Sequence, residues 1–352
     1  MMYDTPATSA GSHHSPDSDD HSLVPDRISV AVDYWVIDET GGLADPDRVS
    51  AVPGATAGTT PHSIAVETPP TESCAELRAH LGGRLQTAVA VAHKQECRLL
   101  PLGLRPDLLT ETDASGETDQ PPPAATAGTR ITFAVDPAAA VDVYNILLAL
   151  DPAFALLNTT RWSTENRQYA CGRSATRDRT HRVPPYRADG ALDPDAVDGQ
   201  DRKPDAADDA EPEPDRWQPV RFAEPGRIEW RALDATTPTL LVDLLADVVS
   251  VLREASTCRL DVESFGNGFD VGCLSLPSRR WREVYAEQAA HRGAESVVLR
   301  AYLDRIGIET GWYLAAAPPA VGSASSTELP TLCRRRAALL EADLGVAEPV
   351  SG

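Results

Sequence analysis

Residues 227–252, RIEWRALDATTPTLLVDLLADVVSVL, constrain the fold more than any other stretch, because the hydrophobic period changes within them. Ile228 and Trp230 alternate with Arg227, Glu229 and Arg231, the period of two that a half-buried strand shows. From Leu240 to Leu252 the apolar residues recur at helical spacing, with Asp243, Asp247 and Arg253 left for the wet side. Asp234, Thr236 and Thr237 offer helix N-cap chemistry at the junction, and Pro238 sits where a first helical turn tolerates it. A strand that feeds an amphipathic helix calls for a sheet with helices layered on it. Glu229 and Arg231 share one strand face. In a concave site such a pair can hold a metal and steer a phosphate. On an ordinary sheet surface it is a cross-strand ion pair, and the pattern leaves both readings open.

The rest of the chain repeats these two patterns. Residues 28–38, ISVAVDYWVID, put Ile28, Val30, Val32, Tyr34 and Val36 on the core face and Ser29, Ala31, Asp33, Trp35 and Ile37 on the other. Further strands are expected at 63–68, 98–103, 130–135, 227–232 and 258–263, all in one mainly antiparallel sheet with the helices on its far side. Ala65 and Glu67 share a face in the second strand, and Arg130 and Thr132 in the fourth. Ser73 is placed to cap a helix over 75–94, whose stripe is Leu77, Leu81, Leu85, Ala88 and Ala92. The apolar run 138–157 predicts a helix broken near Asp151-Pro152. Helices are also expected at 278–290, 294–305 and 329–344.

Charge and thiols bound the setting. The 352 residues carry a formal charge of -21, and Lys94 and Lys203 are the only lysines. Dense carboxylates with few lysines are the usage of proteins kept soluble at high salt. No basic stripe suits nucleic acid. The six cysteines contain no CxxC pair and read as reduced thiols in a cytoplasmic protein. No membrane span and no signal-peptide core are expected. Residues 1–26, rich in Ser, Asp, His and Pro, read as a disordered tail. Residues 107–128 read as a mobile loop, and 188–215, with eleven acidic residues, as a disordered insertion. The remainder, 27–345, is expected to be a single domain.

Six segments, in order and spacing, resemble the glutamate–cysteine ligase family of the bacterial and archaeal carboxylate–amine ligase type. They are VDYWVID (32–38), VETPP (66–70), LLPLG (99–103), AGT (127–129), NILLALDPAFALLNTT (145–160) and IEWRALDATTPTLLVDLLADVVSVL (228–252). The resemblance implies an α+β fold with a glutamine synthetase-like curved, mainly antiparallel sheet, its helices packed on one face and its site on the other. It implies an ATP-dependent reaction in which the γ-carboxylate of glutamate is phosphorylated and an amine such as cysteine attacks the acyl phosphate, with magnesium bridging the phosphates. Carried onto this chain, the metal ligands are Asp33, Glu67 and Glu229, the nucleotide contacts are Arg130, Thr132 and Arg231, and Arg231 is the catalytic arginine.

The chain departs from the family pattern at several of these positions. Ala31 and Asp33 stand where the family has two glutamates, Ala65 replaces a glutamate, and Val143 replaces a glutamine. Arg130-Ile131-Thr132 stands where the family reads His-Val-His. Magnesium needs oxygen ligands in near-octahedral array, so these losses predict a degenerate site, catalytically weak or silent, in a binding or partner protein that keeps the fold. The alternative is an active ATP- and magnesium-dependent ligase acting on an amino acid substrate. Arg130 is expected to pair with Asp33, Glu67 or Glu229 in place of a metal. Homo- and hetero-oligomers both stay open.

Overall fold

The computed structural model describes residues 22–49, 52–110, 125–163, 168–171, 183–187 and 218–346. The expected acidic insertion at 188–215, most of the expected tail and the middle of the 107–128 loop lie outside the described residues. Of the tail, residues 22–26 are described, and Leu23 is buried, its N–H donating to Ser256 Oγ at 2.9 Å.

The main sheet grows from β1 (Arg27–Asp38). β2 (Ala55–Ala57) and β3 (Ser63–Glu67) extend it on one side. On the other side β4 (Cys97–Leu100) pairs with the second half of β1 and β5 (Thr129–Ala134) with the first half. Two small strands, β6 (Trp162–Ser163) and β7 (Gln168–Tyr169), form a separate pair. β8 (Val220–Glu224) and β9 (Arg227–Trp230) complete a seven-stranded sheet of order β2-β3-β1-β5-β9-β8, with β4 beside β1. All its pairings are antiparallel. The alternation in β1 becomes burial as far as Tyr34: Ile28, Val30, Val32 and Tyr34 are buried, and Ser29, Ala31 and Asp33 are half-exposed; beyond it Trp35 and Ile37, expected on the far face from the core, are buried together with Val36.

The expected membership of 258–263 in this sheet is corrected. β10 (Arg259–Glu263) runs parallel to β12 (Cys273–Pro277), which also pairs with β11 (Gly268–Asp270), in a separate three-stranded sheet. Alternation identifies a strand and not its partner, and here β12, only ten residues further on, supplies a local one.

Helices cover the buried face of the main sheet. α1 (Cys74–Lys94) starts at Ser73, whose side chain accepts from the Glu76 N–H at 3.2 Å, and buries Leu77, Leu81, Leu85, Ala88 and Ala92. α2 (Ala140–Leu150) gives way at Asp151-Pro152 to a 3-10 turn, Asp151–Leu157, because proline cannot continue the α-helical ladder. The stretch 140–157 is long and apolar enough by composition to cross a membrane, which corrects the expectation that no run reaches that length; 89% of it is buried inside the molecule. α3 (Pro238–Ala255) packs beside α1. α4 (Arg279–Arg292), α5 (Val297–Arg305), α6 (Thr310–Ala316) and α7 (Leu329–Asp343) follow.

The start of α3 differs from the sequence reading. Thr237 occupies the N-cap without a side-chain hydrogen bond, and the Thr239 N–H is received instead by Asp343 Oδ2 of α7 at 3.0 Å. Asp234 is fully buried, where its Oδ2 accepts from Thr159 N–H at 2.9 Å and Thr159 Oγ1 at 3.1 Å. It therefore ties the loop before α3 to the end of the 3-10 turn rather than capping the helix.

Candidate functional site

Strand register decides which side chains meet on the open face of the main sheet. Residues directly opposite each other in an antiparallel pair share a face. Ala31 is opposite Glu67 on one side and Arg130 on the other, so one row reads Glu67, Ala31, Arg130. Thr132 is opposite both Ser29 and Glu229, and Glu229 is opposite Arg221, so the next row reads Ser29, Thr132, Glu229, Arg221. Asp33 lies opposite Ala65, one row beyond Ala31. Register thus puts Asp33, Glu67, Arg130, Thr132 and Glu229 on one face of the sheet.

Each expected metal ligand has a partner of its own. Glu67 Oε1 is 3.5 Å from Arg130 Nη2, with both side chains about half exposed. Glu229 Oε2 accepts from Arg221 Nε at 2.7 Å, and its side chain is only 12% exposed. Asp33 Oδ2 accepts from the Thr59 hydroxyl at 2.5 Å. Each carboxylate thus turns to a donor of its own. Among the described residues no group of three or more His, Cys, Asp or Glu side chains is arranged to hold a metal ion.

The arginines are also committed. Arg130 makes the ion pair anticipated for it, with Glu67. Arg231 follows the end of β9, and its Nη2 donates to Gln218 O at 3.0 Å while its N–H donates to Pro219 O at 2.8 Å. Thr132 lines a groove of about 300 Å³ on the open face, together with Arg27, Ser29, Ala134, Arg227 and Glu229. The groove is small-molecule sized and carries charges of both signs.

Two partners were not visible in the sequence. Arg221 belongs to β8, which follows the acidic insertion and has no strong alternation of its own. Thr59 lies in a loop 26 residues from Asp33, and no local pattern marks the contact.

No family model matches the chain, and no curated protein matches it in sequence. Solved structures do match. A bifunctional glutathione synthetase from Pasteurella multocida aligns over 91% of this chain and 53% of its own, with 12% identity and a TM-score of 0.50. The chain therefore spans about half the length of that protein. The glutamate–cysteine ligase of Francisella tularensis, solved in complex with AMP, aligns over 92% of this chain and 91% of its own, with 10% identity and a TM-score of 0.45. The ligase PafA, solved in complex with the prokaryotic ubiquitin-like protein Pup, aligns over 92% of this chain and 65% of its own, at 10% identity and a TM-score of 0.35.

The antiparallel sheet with one open face and one helix-covered face is thus an α+β fold. In fold the chain is similar to that bifunctional glutathione synthetase structure.

Proposed function

We propose that this chain is a glutamate–cysteine ligase-like protein of the ATP-dependent carboxylate–amine ligase class whose catalytic site is silent or nearly so. It is retained as a module that binds a small molecule or a partner. One observation carries the reading: the three carboxylates assigned to metal by the resemblance each accept from an internal donor, Arg130, Arg221 or Thr59. Magnesium binds through carboxylates and demands near-ideal octahedral geometry. A carboxylate already held by a guanidinium must give up that charge-assisted bond before it can ligate. ATP brings several negative charges that need neutralising in phosphoryl transfer, and Arg231 is occupied with the backbone at 218–219.

The groove beside Thr132 is the place we assign to a small ligand such as an amino acid. None of the six cysteines forms a disulfide, which suits the reducing cytoplasm proposed for the chain. Residues 27–345 are proposed to fold as one domain.

The test is a calorimetric titration of the purified chain with ATP, with and without magnesium, in high salt. Absence of magnesium-dependent heat is the expected result. Tight magnesium-dependent binding would return the chain to the alternative, an active ligase joining the γ-carboxylate of glutamate to an amine such as cysteine.

A further inference from the structure

β1 and β9 each begin with an arginine on the open face of the main sheet. Arg27 and Arg227 both lie opposite Ala134, one from either side. β5 separates their strands, so the two backbones stand about 10 Å apart, and the small Ala134 side chain leaves the space between them clear. Each guanidinium has only a loose partner. Arg27 Nη2 is 3.9 Å from Glu72 Oε1 and Arg227 Nη1 is 3.4 Å from Glu224 Oε2, with all four side chains more than half exposed. Pairs of that kind contribute little and are readily exchanged for an anion held by both arginines.

One row further along, about 7 Å away, stand Ser29, Thr132 and Glu229. Among the described residues, the half-exposed Ser29 and Thr132 hydroxyls make no hydrogen bond. Glu229 is 12% exposed; Arg221 holds its Oε2 at 2.7 Å, and no described donor reaches its Oε1. A carboxylate oxygen so little exposed calls for a donor, and the two hydroxyls can both donate and accept. The two rows line the groove of about 300 Å³, with Pro70 and Ala223 as apolar sides.

We propose that this groove binds a polyhydroxylated anion of about five or six carbons, a sugar acid or a sugar phosphate. The acidic head sits over Ala134 between Arg27 and Arg227, and the hydroxyls reach Ser29, Thr132 and Glu229 Oε1. Row spacing sets the length, since head and hydroxyls must lie about 7 Å apart. Charge sets the kind of donor. Arg221 already balances Glu229, so the open oxygen calls for a donor without a charge. A hydroxyl supplies that, and an ammonium beside three guanidinium groups does not. The proposal rests on the reading of this groove as a small-ligand site and narrows the class of ligand.

The test is calorimetric titration of the full chain with gluconate, sorbitol phosphate, sorbitol, hexanoate and glutamate. Sorbitol lacks the charge, hexanoate lacks the hydroxyls, and glutamate carries an ammonium in their place. Gluconate or sorbitol phosphate should bind about tenfold more tightly than these three, or better, and the tighter of the two identifies the head as carboxylate or phosphate. Arg27→Gln combined with Arg227→Gln should weaken that binding about tenfold or more, and Thr132→Val should weaken it by a smaller factor. All three positions are at least partly exposed, so these variants keep the fold. Sorbitol, hexanoate or glutamate binding as tightly as the two anions, no binding of any probe, or unchanged affinity in the double arginine variant would each overturn the proposal. None of these readouts involves ATP or magnesium, so the silent-site reading stands or falls separately.

Discussion

The Arg130 guanidinium lies 3.5 Å from Glu67 Oε1 although a whole strand separates the two, because the residue between them in the row is Ala31. Neighbouring strands are about 4.8 Å apart, so the pair reaches over β1, and a methyl group is small enough to let it. A glutamate at that position would stand in the path. Residues 31 and 130 are therefore linked: one leaves the row open and the other supplies a cation to close it.

Both partners of this pair are about half exposed, so its stabilisation should be small. A double-mutant cycle on Arg130→Ala and Glu67→Ala, read by urea unfolding, should give a coupling of about 1 kcal/mol or less that fades with salt. A coupling of about 3 kcal/mol, the scale of a buried pair, would mean that the row is closed from solvent in solution.

The linkage predicts how metal capacity can be restored. The triple variant Ala31→Glu, Arg130→His, Thr132→His returns one carboxylate and two imidazoles to the rows that hold Glu67 and Glu229. It should acquire measurable binding of magnesium or manganese by calorimetry, beyond any shown by the unaltered chain. Failure of the folded triple variant to bind any divalent ion would remove these rows from consideration as a lapsed metal site.

Gly103 is held to glycine by a neighbour. A methyl group built there would land on the Asp234 carboxylate, which is itself fixed by Thr159. Gly103→Ala should destabilise the chain by about 3 kcal/mol, at the upper end for overpacking, as measured by chemical denaturation. A change within about 0.5 kcal/mol, the scale of a neutral surface substitution, would show that Asp234 can move.

Glu341 on α7 gives the chain an acid sensitivity. Burial pushes its carboxyl pKa up, but hydrogen bonds from Arg98 and His93, together with their charges, outweigh that and leave it below the ordinary glutamate value. A depressed folded-state pKa contributes stability that is present at neutral pH and is lost as pH falls through the ordinary range, about 4.3, and below. Glu341→Gln leaves Arg98 without its carboxylate, so it should cost about 3 kcal/mol at pH 7 and flatten the decline in melting temperature between about pH 5 and pH 3. An equally steep decline in the variant would assign the acid sensitivity to other groups.

The sequence was most legible where burial imposes a period. β1, α1, the break at Asp151-Pro152 and α3 all follow from alternation, caps and proline, because each element meets one dominant core face. The shared face of Asp33, Glu67, Arg130 and Glu229 was legible for the same reason. Partner choice was not. β10 has the alternation of a sheet strand and finds its partner in β12, which no single-strand pattern encodes. Asp234 has the composition of an N-cap, yet a cap and a buried hub look alike in sequence, and only the contact with Thr159 separates them. Arg221 and Thr59 reach the site from an edge strand and a loop, so their pairings with Glu229 and Asp33 depend on tertiary placement alone.

The central claim is that the open face of the main sheet has exchanged metal ligands for internal ion pairs and hydrogen bonds. Calorimetric titration of the unaltered chain with ATP, in matched high-salt buffers with and without magnesium, tests it most directly. The account predicts no difference between the two titrations. A magnesium-dependent isotherm with micromolar or tighter affinity would contradict it, since Arg130, Arg221 and Thr59 would then have to release the carboxylates they hold here.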